Sequence, residues 1–134
     1  MSEASDANAV GACVLVVDDN QDIRDLISFI LSKEGYEVIT ATDGDEGLDL
    51  AISRKPNLIL LDVMMPRVSG LETLTALRAH KDKSISGIPV VMITAKAATA
   101  DVDEALARGA DSYIVKPFRP AGLSARVHSV LNDN

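Results

Sequence analysis

The stretch LILLDVMMPRVSG, residues 58–70, sets four apolar side chains directly against a carboxylate. It reads as a buried strand with Asp62 at its C-terminal tip, the edge of an α/β sheet where ligands bind. A second apolar run, residues 14–17, ends the same way, in Asp18 and Asp19. Two strand tips thus deliver three carboxylates to one place. At about 4 Å two such charges repel by roughly 4 kcal/mol at an effective dielectric near 20, so the cluster calls for a cation or a proton. An oxygen-rich divalent-metal site answers that demand.

Outward from this stretch the chain alternates. Apolar β-type runs at 14–17, 38–40, 58–61, 90–93 and 113–115 are separated by segments of helical periodicity. In the first helix Ile23, Leu26, Ile27, Ile30 and Leu31 form one stripe behind Asn20 as N-cap, and Gly35 stops it. The second opens on Asp43 and Glu46 as a capping box, turns Leu48 and Ile52 inward and ends before Pro56. The third uses Leu71, Leu74 and Leu77 and finishes near His80. The fourth, 97–108, is Ala-rich, with Val102 and Leu106 as its large apolar residues, so little burial holds it down and it is expected to be the mobile element. Pro120 opens a fifth, with Leu123, Val127, Val130 and Leu131 as the buried stripe, and Gly122 weakens its first turn. Continuous Val, Ile and Leu strands are expected to be buried on both faces, in an open parallel sheet covered by helices on both sides.

Composition narrows the function. A chain of 134 residues, 47% of them hydrophobic, suits a single domain with one core. The net charge of −7 and the lack of any stretch rich in both basic and aromatic residues argue against direct binding of nucleic acid or anionic lipid. Cys13 is the only cysteine, so no internal disulfide forms, and it is read as a small buried residue in a reducing compartment. No run reaches the roughly 18 apolar residues of a membrane helix, and the start lacks the plan of a signal peptide. A cytoplasmic protein with no membrane contact is expected, with a disordered tail over residues 1–10.

Two more residues belong at the same sheet edge, because Thr94 follows the run 90–93 and Lys116 follows 113–115. With VVDDN (16–20), LLDVMMPRVSG (60–70), ITA (93–95) and YIVKPF (113–118) in order on strand tips, the chain resembles a response-regulator receiver domain of two-component signalling. The resemblance covers nearly the whole chain, with the receiver at 11–131 and a short tail at 132–134. It implies a CheY-like, flavodoxin-like (βα)5 doubly wound parallel sheet with strand order 2-1-3-4-5. It also implies that Asp62 is the phospho-acceptor, attacking a phosphohistidine or a small phosphodonor to give an acyl phosphate. Mg²⁺ or Mn²⁺ would be held by Asp19, Asp62 and the Met64 backbone carbonyl, with Asp18 acting through water. Lys116 would pair with Asp62 before transfer and with a phosphoryl oxygen after it, and Thr94 would donate to another such oxygen. Tyr113 would rotate as Thr94 shifts, and a cis peptide before Pro117 would aim Lys116 inward.

The partners implied are a sensor histidine kinase or histidine phosphotransfer protein and a downstream protein that reads the fourth helix, fifth strand and fifth helix. The protein would be a self-phosphorylating acceptor and not a turnover enzyme. Met64 and Lys96 stand where side chains flank the line of the attacking water, so the acyl phosphate is expected to be long-lived. Asp111 and Arg126 match part of the charged set that dimerises receivers of winged-helix regulators. Gly122 and Val102 leave that set incomplete, so a monomer or a weak phosphorylation-dependent dimer is expected. Because the chain begins at Met1, a stand-alone receiver is favoured over one cut from a larger multidomain regulator or hybrid kinase.

Other readings fit less well. Taken singly, a strand-end Asp more often caps a turn, and Lys116 would be a solvated lysine; their combination points to a site. A flavodoxin-type cofactor binder needs a first loop rich in Ser, Thr and Gly, where Asp18 and Asp19 would repel a phosphate. A metal-dependent aspartyl phosphatase of the haloacid-dehalogenase pattern needs an Asp two residues after the nucleophile, where this chain has Met64. His80 and His128 show no metal-ligand pattern.

Overall fold

A computed structural model describes residues 11–95 and 99–133. The tail at 1–10, the final Asn134 and Lys96 lie outside the described residues. Five strands, β1 (Cys13–Val17), β2 (Glu37–Ala41), β3 (Leu58–Asp62), β4 (Val90–Thr94) and β5 (Ser112–Val115), alternate with helices α1 (Gln21–Lys33), α2 (Gly44–Arg54), α3 (Gly70–Arg78), α4 (Thr99–Ala107) and α5 (Pro120–Asp133). A one-turn helix, Lys83–Ser86, precedes β4. All strand pairs are parallel and the order is β2-β1-β3-β4-β5, as expected. The strand order reverses between β1 and β3, which places the ligand crevice of such a sheet at their C-terminal ends.

Side-chain alternation sorts the core into two layers. Val14, Val16, Leu58, Leu60, Val91, Ile93 and Ile114 meet Ile27, Ile30 and Leu31 of α1 and Leu123, Val127 and Val130 of α5. Leu15, Val17, Ile59, Leu61, Val90 and Met92 meet Ala51 of α2, Leu74 and Leu77 of α3 and Ala105 of α4. β1, β3 and β4 carry the burial expected of all strands, whereas the edge strands β2 and β5 are only partly covered. All five strands run one residue further at one or both ends than their apolar runs, so Asp62 and Thr94 are the last residues of β3 and β4.

The helix caps correct some expectations. Asn20 caps α1 by accepting from the Ile23 N–H, and Gly35 in the left-handed region ends it, with the Tyr36 and Gly35 N–H groups donating to the Leu31 and Ser32 carbonyls. Asp43 caps α2 through the Glu46 N–H, but Glu46 Oε1 accepts from Thr42 and not from the cap residue. The reciprocal capping box is at α3 instead, between Ser69 and Glu72. Leu26, Ile52 and Leu106, expected inward, are exposed, because Ile27, Ala51 and Ala105 take the positions against the sheet. Cys13 is half-buried, not fully buried, and burial raises its thiol pKa. Helix α4 is described over Thr99–Ala107, and positions 97 and 98 of the expected helix lie outside the described residues. Helix α5 runs to Asp133, through residues read as tail.

Candidate functional site

The register sets Val17 beside Leu61, so the residues that follow this pair, Asp18 and Asp62, emerge side by side. Oxygens of Asp18, Asp19 and Asp62 lie within 4.8 Å of one another. Asp18 and Asp62 are buried and Asp19 is exposed, which leaves the cluster one open side. Lys116 comes in from the tip of β5, just before a cis Lys116-Pro117 bond. Its Nζ lies 3.1 Å from Asp18 Oδ2 and 3.6 Å from Asp62 Oδ1. The lysine expected on Asp62 is therefore shared, with the shorter contact to Asp18. Asp18 is the fully buried carboxylate, and its other oxygen is already fixed by the Asn20 N–H at 2.9 Å.

Three carboxylates face one ammonium, and the imbalance shows in Asp62. Its carboxyl pKa is pushed up to about 6, first by burial and then by the Asp18 charge, while Lys116 and the Met64 N–H, which donates to Asp62 Oδ1, pull it down. Hard oxygen donors, excess negative charge and an open side fit a divalent cation of the Mg²⁺ kind. Thr94 is buried at the tip of β4, next to β3. Tyr113 is half-buried and paired with Met92, two residues before the pair Thr94 and Val115. Thr94 and Tyr113 therefore lie on the same face of the sheet. Met64 is 68% exposed, in the loop after β3. Beside Lys116 a cleft of about 380 Å³ is lined by Ile23, Leu26, Ala95, Pro117 and Phe118.

Three supporting residues escaped the sequence reading. Arg24 donates from Nη1 to the Asp18 carbonyl at 2.7 Å, fixing the backbone of the acidic tip. A cation in the second turn of a helix stands against the helix dipole, and that misplacement is the signal that a partner outside the helix holds it. Gly70 is required because a Cβ there would overlap the Asp62 carbonyl, and its N–H donates to Val63 O at 2.9 Å, closing the loop onto β3. Arg67 sits in the left-handed region and ties that loop to the α2 cap through Asp43 at 2.9 Å.

A family model, the response regulator receiver domain, matches residues 14–128. The chain belongs to the response regulator receiver domain family, and so to the proteins of two-component signalling. It is 46% identical over 118 residues to the probable transcriptional regulator ycf27 of Cyanophora paradoxa, covering 88% of this chain and 47% of that one. It is 44% identical over 118 residues to the alkaline phosphatase synthesis transcriptional regulatory protein PhoP of Bacillus subtilis, covering 88% and 48%. The chain thus spans about half the length of the curated relatives it matches. Among solved structures, the chemotaxis protein CheY4 of Vibrio cholerae superposes with a TM-score of 0.84 at 36% identity, covering 90% of this chain and 99% of that one. The match accommodates both a receiver that stands alone and one joined to an output region. Among the described residues no helix is long and apolar enough to cross a membrane.

Proposed function

We propose that this receiver is a cytoplasmic phospho-acceptor in which Asp62 takes a phosphoryl group from a histidine kinase, a histidine phosphotransfer protein or a small phosphodonor. The carrying observation is the charge imbalance around Asp62: a buried carboxylate held among two others, with one shared ammonium and a pKa of about 6. Asp62 Oδ forms the new bond to phosphorus as the bond to the donor nitrogen or oxygen breaks. Asp19, Asp62 and the Met64 carbonyl would hold Mg²⁺ or Mn²⁺, with Asp18 acting through water, and the bound ion would neutralise charge that otherwise repels the phosphoryl oxygens. Lys116 leaves its shared position for a phosphoryl oxygen, and Thr94 donates its hydroxyl to another. Below pH 6 the metal-free nucleophile is protonated, so labelling at low metal falls as pH drops through that range.

Exposed Leu26, which lines the cleft at Lys116, and exposed Phe29 further along α1 support docking of the phosphodonor protein on that side. The shared face of Thr94 and Tyr113 supports a readout through α4, β5 and α5 to a downstream protein. Asp111 is engaged by Arg78 and the Val90 N–H, and Arg126 by Ser112, which supports a monomer or a weak phosphorylation-dependent dimer. Met64 would slow hydrolysis by covering the approach to phosphorus, a role that Lys96 would share. The experiment is incubation with acetyl phosphate and Mg²⁺. Hydroxylamine-labile phosphate is expected in the native chain and absent in Asp62→Asn. Equal labelling of the variant would refute the assignment.

A further inference from the structure

The edge strand β5 is clasped from outside by one residue of α5. Ser112 has the same parity as Ile114, which faces the α1/α5 layer, whereas Tyr113 packs against the opposite layer. The Arg126 guanidinium reaches both: Nη1 donates to Ser112 Oγ at 2.6 Å, and Cζ lies 6.0 Å from the centre of the Tyr113 ring. It therefore wraps the open edge of the sheet, anchored on one face and in cation–π range of the ring on the other. No other aromatic ring among the described residues is held in this way across a strand edge; the Lys33 contact to Phe29 is made within α1.

We propose that Arg126 is a positioning residue, a latch that holds Tyr113 in the arrangement of the unphosphorylated protein. This rests on the reading of Tyr113 as the residue that moves when Asp62 is modified. Rotation of the ring breaks the contact with Arg126, so the latch stabilises only the resting arrangement and lowers apparent affinity for a phosphoryl group or its mimic. An exposed cation–π contact and a hydrogen bond together set the size of the effect, about three- to tenfold in the midpoint.

The chain has two tyrosines and no tryptophan, so Tyr36→Phe leaves Tyr113 as the only strong intrinsic fluorophore. In that background, beryllofluoride is titrated with Mg²⁺ present and Tyr113 emission is followed. Arg126→Ala should move the midpoint to about three- to tenfold lower beryllofluoride. Ser112→Ala should move it in the same direction, the double variant should add little more, and Arg126→Lys should restore part of the native midpoint. A purely structural Arg126 would lower the thermal midpoint and leave the beryllofluoride midpoint in place, and that result overturns the latch. If Tyr113 emission responds in the parent but every variant titrates alike, the latch alone fails. If the emission does not respond in the parent, the switch reading of Tyr113 fails and the latch falls with it.

Discussion

At the N-terminal edge of the sheet Arg78 donates to the carbonyls of Gly109, Ser86 and Ile88 and to Asp111, at 2.8 to 3.1 Å. Asp111 also accepts the Val90 N–H at 2.9 Å, so the cation and the anion at this end are matched and the starts of β4 and β5 are tied together. At the C-terminal edge, three carboxylates share one lysine. Burial acts on both ends, lowering the Arg78 pKa and raising that of Asp62, yet only at Arg78 does the largest cause after burial, the Asp111 charge, oppose the shift. Around Asp62 the next cause after burial, the Asp18 charge, adds to it. A charged network with every donor and acceptor matched holds a fold together. One with surplus like charge is poised to bind or react, and it destabilises the fold that carries it.

The contrast is sharpest in mutants. Arg78→Ala strands three carbonyls and Asp111 and should cost about 3 to 4 kcal/mol in urea unfolding, while leaving the metal affinity of the acidic site unchanged. An altered metal affinity would mean that the two ends are not separate. Asp62→Asn should do the reverse and stabilise the metal-free protein. The folded carboxyl binds its proton more tightly than the ordinary value of 3.8, so its contribution to stability is full below about pH 4 and is lost as pH rises through about 6. Two units correspond to about 3 kcal/mol at pH 7, an upper bound on the gain, and the difference from native should close at pH 4 or on saturation with Mg²⁺. A gain that persists at pH 4 would place its origin outside the charge cluster. Smaller still, Gly70→Ala pushes a methyl group onto the Asp62 carbonyl and should cost about 2 kcal/mol. It should also weaken Mg²⁺ binding, read by isothermal titration, because the loop that carries Met64 must shift. Unchanged binding would show that the loop position does not govern the site.

Much of this was legible in the sequence because of where it sits. Asp18, Asp62, Thr94 and Lys116 end apolar runs, and a run of Val, Ile and Leu fixes both the strand and its tip. The strand order and the two helical layers follow from the same alternation once the resemblance to receivers is seen. Arg24 and Arg78 were hidden because they bond backbone carbonyls, Arg78 reaching Gly109 across 31 positions, and no side-chain pattern marks a carbonyl as an acceptor. Helical periodicity also gives a stripe but not its width. Leu26, Ile52 and Leu106 fall at its margins, where small residues such as Ala51 and Ala105 let the helix approach the sheet and leave the larger side chains outside. The shared lysine depends on which carboxylate is buried deeper, and Asp18 and Asp62 look alike as strand-end residues.

We propose that surplus charge at the C-terminal edge makes Asp62, and no other carboxylate, the metal-dependent acceptor. Borohydride converts an acyl phosphate to the alcohol, so reduction after acetyl phosphate treatment, followed by peptide mass spectrometry, marks the modified position. Homoserine at position 62 alone, formed with Mg²⁺ and absent with a chelator, is the result expected. Homoserine at position 18 or 19, or equal conversion at position 62 without a divalent ion, would contradict it.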